Sequence, residues 1–143
     1  MTRLIPGLAL AALLLGAGPG IADEFSVSPT KLRVAATERT ATLTVMSGGP
    51  GASEGQVRVM RWYNDNGRNE LAPTRDVTAS PPSMHMKANQ EITIRLVRKS
   101  KTAVQGQECY RVLIDKLPNL AAKGQQVAFT VRQSVPLCFG TAP

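Results

Sequence analysis

Few residues in this chain of 143 could bind a metal or form a covalent bond: it has one histidine and two cysteines. His85 lies between Met84 and Met86, and thioether and imidazole groups are ligands that suit copper(I). Adjacent residues of a strand point to opposite faces, however, so a strand would separate the histidine from the two methionines. We therefore keep a copper site only as an alternative, and we predict no metal and no cofactor.

Catalytic groups do not occur in a usable combination. A side-chain nucleophile needs a neighbouring base, and the base needs a group that orients it. The sequence offers one histidine, no nucleophile motif and no acid pair with a supporting group. We predict that the protein is not an enzyme.

The two cysteines, Cys109 and Cys138, favour structural chemistry. An even number of cysteines in an exported protein indicates a disulfide rather than a metal or redox site. Because the sequence has no third cysteine, any bond that forms joins these two.

The first 22 residues have the layout of a secretory signal peptide. Arg3 supplies a short basic region, LIPGLALAALLLGAG is apolar, and the segment ends in Gly20-Ile21-Ala22. A membrane anchor would need about 20 uninterrupted apolar residues, and prolines and glycines interrupt this stretch. We predict a cleaved signal peptide over residues 1–22, one domain over residues 23–143, and no membrane insertion after cleavage.

The formal net charge of +7 indicates a basic surface. The densest basic run, RLVRKSK from Arg95 to Lys101, has no interleaved aromatic residues on which bases would stack. We therefore predict a solvated basic face and no nucleic-acid partner.

The elements that must position these residues have the period of β-strands. TATLTVMS, EITIRLVRK and CYRVLIDKL alternate apolar and polar residues, and Asn66-Gly67 is a strong hairpin signal. No stretch has a convincing helical period. About seven strands separated by polar turns predict an all-β fold, an immunoglobulin-like β-sandwich, with its first strand near residues 25–34 and its last near 127–137.

The predicted last strand has large apolar residues on one face. Val127, Phe129 and Val131 alternate with other residues, and Val135 follows. In a sandwich, such a face ordinarily packs against the protein's own core. The alternation alone does not distinguish that arrangement from contact with another protein.

Several stretches occur together in the order and spacing of one family. FSVSPTKLRV, TATLTV, SPP, ITIRLVR, CYRVLIDKLP and VAFTVRQSVPL resemble the N-terminal domain of periplasmic pilus-assembly chaperones of the chaperone–usher pathway. The resemblance covers about residues 24–139 and is closest to the branch that serves spore-coat-U-like and other archaic fimbriae. It implies a periplasmic protein whose partners are fimbrial subunits and an outer-membrane usher.

The resemblance also implies a mechanism, donor-strand complementation. The family's subunits are immunoglobulin-like domains that lack their last strand, and the chaperone's last strand lies in the resulting groove. Main-chain hydrogen bonds supply affinity, and every second side chain fills a pocket. The donor residues here would be Val127, Phe129, Val131 and Val135.

Basic residues in the family hold the subunit's C-terminal carboxylate, and one of them corresponds to Lys31. The other position is Pro136 here, so this chain departs from the family pattern. If Cys109 faces Cys138 across the last hairpin, the same register places Arg111 opposite Pro136. A guanidinium fork suits a carboxylate, so we predict that Lys31 and Arg111 form the anchor.

Members of the family normally carry a second immunoglobulin-like domain, which we do not expect in this sequence. Two alternatives to an active chaperone therefore stay open. One is a single-domain periplasmic carrier of copper or another ligand, and the other is an inactive, truncated chaperone.

Overall fold

The structure is a computed structural model that describes residues 25–49, 51–118 and 130–142. Within these ranges it contains only β-strands and irregular segments, so no helix there is long and apolar enough to cross a membrane. The strands are β1 (Phe25–Ser28), β2 (Leu32–Val34), β3 (Thr40–Ser47), β4 (Ser53–Asp65), β5 (Arg68–Pro73), β6 (Val77–Ser80), β7 (Ser83–Met86), β8 (Glu91–Arg98), β9 (Gln107–Leu117) and β10 (Val131–Gly140).

Two sheets pack face to face, which confirms the predicted all-β sandwich. The four-stranded sheet has the order β1-β3-β8-β6. The six-stranded sheet has the order β2-β10-β9-β4-β5, and β7 also pairs with β4. We call the side of each sheet that faces away from the other sheet its outer face.

The structure has more strands than the seven predicted. Two segments of the chain each divide into two strands that lie in different sheets, and the hairpin of β4 and β5 is long. β1 pairs with β3 whereas β2 pairs with β10, and β6 pairs with β8 whereas β7 pairs with β4. Pro29 and Pro81 stand at the two breaks, where a residue without a backbone N–H cannot continue the ladder. β4 and β5 form the predicted hairpin across Asn66 and Gly67, whose φ angles of 50° and 83° suit a tight turn of type I′.

The core lies between the sheets and receives every second residue of the central strands. In β10 these are Val135, Leu137 and Phe139, which are 3%, 0% and 0% exposed. The Phe139 ring meets the ring of Tyr110 edge to face, with centroids 6.1 Å apart. The second half of β10 is therefore part of this protein's own core.

An ion pair between the buried Arg98 and the partly buried Glu108 holds the loop between β8 and β9. Arg98 donates hydrogen bonds from Nε and Nη2 to the carboxylate of Glu108, at 2.8 and 3.1 Å, and from Nη1 to the carbonyls of Ser100 and Thr102. The bond from Arg98 has the largest influence on Glu108, and it holds the pKa of this carboxyl below its usual value although burial opposes the shift.

The end of β10 fits against the same loop at Gly140. Gly140 has a φ of 78°, which is in the left-handed region, and a Cβ atom there would collide with the carbonyl oxygen of Gly106. Val104 of this loop is buried, and its backbone N–H donates to the carbonyl of Ala36 at 2.9 Å. Close contact between two backbone segments therefore requires glycine at this position.

Candidate partner-binding site

One edge of β10 is unpaired over half its length. β10 pairs with β9 from Val131 to Gly140, but it pairs with β2 only from Leu137 to Phe139. No other strand among the described residues pairs with Val131–Pro136, a segment that we call the open edge. Unpaired N–H and C=O groups on a strand edge can form a ladder with an added strand.

Lys31 lies where the open edge ends. β2 runs parallel to β10, and its first residue, Leu32, is opposite Leu137. Lys31 directly precedes β2, and its side chain is exposed. It therefore occupies the boundary between the paired and the unpaired part of β10.

Arg111 is placed as predicted, because Cys109 faces Cys138 in the β9–β10 register and Arg111 faces Pro136. The predicted disulfide between Cys109 and Cys138 is present, with Cα atoms 4.2 Å apart. Lys31 and Arg111 line one groove on the outer face of the six-stranded sheet. The structure thus brings the two predicted anchor residues to the same surface.

Trp62, which the sequence analysis did not assign to the site, determines how Arg111 is held. The guanidinium carbon of Arg111 lies 4.1 Å from the centroid of the indole ring, within the range of a cation–π contact. Trp62 is opposite Cys109 in the pairing of β4 with β9. Only this register, which the sequence does not give, identifies the tryptophan as a neighbour of Arg111.

The four predicted donor residues do not behave alike. Val127 and Phe129 lie outside the described residues. Val131 begins β10 and is half-buried. The prediction that Val135 is a donor needs correction: its side chain is 3% exposed within this protein's own core, so it has no surface to offer a partner.

A second charged cluster lies on the outer face of the same sheet and was not predicted. Oδ1 of Asp115 accepts a hydrogen bond from Nε of Arg132 at 2.6 Å. Oδ2 accepts bonds from Nε and Nη2 of Arg58 at 3.2 and 2.8 Å. Burial alone would raise the pKa of Asp115, but the bonds from Arg132 and Arg58 outweigh it and hold the pKa below its usual value. The cluster links β4, β9 and β10.

The residues of the alternative copper site do not converge. Met84 and Met86 are buried in the core, whereas the side chain of His85 is exposed and its Nδ1 lies 3.2 Å from Oε1 of Glu54. Within the described ranges, no group of three or more histidine, cysteine, aspartate or glutamate residues is arranged to hold a metal ion. The alternation of β7 thus directs the potential ligands to opposite faces.

Residues 24–140 match the profile of a family described as pili and flagellar-assembly chaperone, PapD N-terminal domain. No curated protein matches the chain by sequence.

Solved pilus chaperones are similar in fold. The CsuC–CsuE chaperone–tip adhesion subunit complex of Acinetobacter baumannii matches with 24% identity and a TM-score of 0.70, over 82% of this chain and 57% of that chain. The class 5 fimbriae chaperone CfaA matches with 11% identity and a TM-score of 0.69, over 84% and 57%. The complex of the SafA pilin with the SafB chaperone of Salmonella enterica matches with 19% identity and a TM-score of 0.67, over 82% and 54%. The chain thus spans little more than half the length of these structures.

Proposed function

Because this chain belongs to the PapD N-terminal domain family of pilus and flagellar-assembly chaperones, we propose that it caps fimbrial subunits in the periplasm by donor-strand complementation and delivers them to an outer-membrane usher. The family is one of chaperones, not of enzymes. This chain is similar in fold to CsuC, which was solved with an adhesion subunit, and to SafB, which was solved with a pilin. This similarity supports fimbrial subunits as partners. The predicted signal peptide, residues 1–22, supports the periplasmic location.

The open edge of β10 is the observation that carries this proposal. A subunit strand that runs parallel to β10 would lie beside Val131–Pro136, in line with β2, which is the parallel neighbour of Leu137–Phe139. Such a strand would lie about 4.8 Å from β10 and would complete the ladder. β2 begins at Leu32 and would prevent the added strand from extending further.

The donor side chains in this proposal are Val127, Phe129 and Val131. Transfer of three such side chains from water into a subunit groove is worth about 5 kcal/mol before the costs of ordering the two chains. Val131 is the first residue of β10 and faces the same side as Val135. Val131 would therefore pack in the core of the partner, whereas Val135 packs in the core of this protein.

Lys31 and Arg111 would hold the terminal carboxylate of the subunit. A parallel strand that ends beside Pro136 brings its last residue to Lys31, and Arg111 lies opposite Pro136 on β9. A cation–π contact uses no N–H group, and none of the described residues accepts a hydrogen bond from the Arg111 side chain, so its donors would be available to a carboxylate.

The proposal is tested by producing the chain together with a spore-coat-U-like fimbrial subunit in a bacterial periplasm. We expect the subunit to accumulate in soluble form and to purify with the chain. We expect Phe129→Asp to abolish this accumulation without lowering the melting temperature of the chain. A subunit that is degraded equally with and without the chain would refute the proposed function.

A further inference from the structure

Arg132 lies on the open edge, and a neighbouring carboxylate holds its guanidinium group in position. It is the second residue of β10, on the outer face, and its side chain is 53% exposed. Its Nε is held by Oδ1 of Asp115 at 2.6 Å. None of the described residues accepts a hydrogen bond from its two terminal nitrogens. The guanidinium is therefore fixed at one corner and still able to donate two hydrogen bonds.

The charge of the cluster is not balanced. Asp115 supplies one negative charge, and its second oxygen is already bonded to Arg58, so two guanidinium groups share one carboxylate. Arg58 lies on β4, two strands away from β10, and the spacing of strands puts it on the order of 10 Å from that strand. The cluster therefore keeps one net positive charge, which Arg58 and Arg132 share, and Arg132 is the arginine that lies beside the open edge.

We propose that Arg132 is a second carboxylate-binding residue, which recognises an acidic side chain in the last strand of a captured subunit. The inference rests on the proposed function, since it requires a strand beside the open edge. Asp115 and Arg58 are positioning residues: they fix the guanidinium before the partner arrives, which reduces the entropy lost on binding. A carboxylate is the ligand that best matches the remaining planar pair of donors.

The register specifies where that acid lies. Arg132 and Pro136 are on the same face of β10, four positions apart, which corresponds to about 13 Å along a strand. If the terminal residue of a parallel strand lies beside Pro136, its residue four positions earlier lies beside Arg132 and faces the same side. A residue three positions earlier faces the opposite side. We therefore expect aspartate or glutamate four residues before the subunit's last residue.

Short synthetic peptides test the proposed function and the role of Arg132 separately. Each peptide alternates valine and threonine and carries aspartate or asparagine four residues before its last residue, with a free or an amidated C-terminus. A further peptide carries the aspartate three residues before the end. Binding to the mature chain is measured by NMR titration, which detects weak binding and reports whether Val131–Pro136 is affected.

We expect the peptide with aspartate at the fourth position to bind about threefold to fivefold more tightly than its asparagine counterpart, as for a partly exposed charge pair. Arg132→Gln should remove this difference but leave the preference for a free C-terminus. Arg95→Gln, which changes an exposed arginine on the outer face of the other sheet, should leave both preferences intact.

The outcomes separate the two proposals. Equal binding of the aspartate and asparagine peptides, with the preference for a free C-terminus retained, overturns the role of Arg132 and leaves the proposed function standing. An equal gain from aspartate at the third position also overturns it, because the effect would then be non-specific attraction. If no peptide binds at the open edge, the proposed function fails and this inference fails with it.

Discussion

Arg111 is held by an aromatic ring and not by an acid: its guanidinium carbon lies 4.1 Å from the centroid of the Trp62 ring, and no described carboxylate pairs with it. The contact fixes the side chain without neutralising its charge. Trp62 itself stands beside the disulfide-bonded Cys109 on the neighbouring strand. The arginine is thus kept in place without a neutralising acid among the described residues, which is what the proposed anchor role requires.

Removal of either anchor residue should weaken subunit capture without unfolding the protein. We expect Lys31→Ala and Arg111→Ala each to reduce affinity about tenfold, since each loses a hydrogen bond to a charged group. Arg111→Lys should also bind more weakly, because it keeps the charge but loses the planar fork and the ring contact. Affinity is measured by surface plasmon resonance and melting temperature by calorimetry. Normal capture by both alanine variants would remove the anchor assignment.

Aspartate substitutions at Val135 and at Phe129 should have opposite effects. Val135→Asp places an unpaired charge in the core, and we expect it to prevent folding or to lower stability by several kcal/mol. Phe129→Asp should instead leave the melting temperature nearly unchanged and abolish capture. Thermal melting beside a subunit pull-down decides the outcome. A large drop in melting temperature for Phe129→Asp would mean that this residue also belongs to the protein's own core.

Gly140→Ala should destabilise the protein by about 2 kcal/mol or more. The residue has a φ of 78°, and its new Cβ would meet the carbonyl oxygen of Gly106. Gly51→Ala is the matched control, because a Cβ there meets no atom within 4 Å. Urea unfolding of the two variants gives both free energies. Equal free energies of unfolding for the two variants would show that a Cβ beside the Gly106 carbonyl oxygen does not destabilise the protein.

Stability should fall in acid, partly through Asp115 and Glu108. The pKa values of both carboxyls are held below their usual values in the folded state. The folded protein therefore binds fewer protons than the unfolded chain, so the contribution is present at neutral pH and is lost as the pH falls below about 4.5. Urea unfolding between pH 7 and pH 3 measures the slope, which we expect Glu108→Gln to reduce. An unchanged slope in this variant would exclude Glu108 as a source.

The disulfide should contribute about 3 to 4 kcal/mol to stability, on the chain-entropy estimate for a sequence separation of 29 residues. We expect the double variant Cys109→Ala and Cys138→Ala to lose this amount in urea unfolding. The parent chain measured with a reducing agent should lose the same amount. Full stability of the reduced chain would show that the cross-link adds no stability to the folded β9–β10 pair.

The sequence predicts those features that depend on local pattern. The alternation of β3, β8 and β9, the Asn66-Gly67 hairpin and the disulfide all follow from residue type and short-range spacing. The pairing of Arg111 with Pro136 was also correct, because one disulfide fixes the register of a whole antiparallel pair.

Features that depend on several strands were missed. Asp115 contacts Arg58 on one neighbour and Arg132 on the other, and neither contact is encoded in any single strand. Val135 was misassigned because the alternation of apolar residues along β10 is the same whether a side chain faces a partner or the protein's own core. The sequence pattern also did not reveal that the chain changes sheet at Pro29 and at Pro81, where one predicted strand divides into two.

The shortness of the open edge has a consequence for the solubility of the protein. A bare strand edge recruits extended chains of any kind, including copies of itself, and proteins limit this with short edges, charges and proline. Here β2 ends the edge, Pro136 lacks a backbone donor, and Arg132 carries a positive charge beside the exposed ladder. Two copies that met edge to edge would bring like charges together, which disfavours self-association and fibre growth. The acidic strand proposed above would not meet this repulsion.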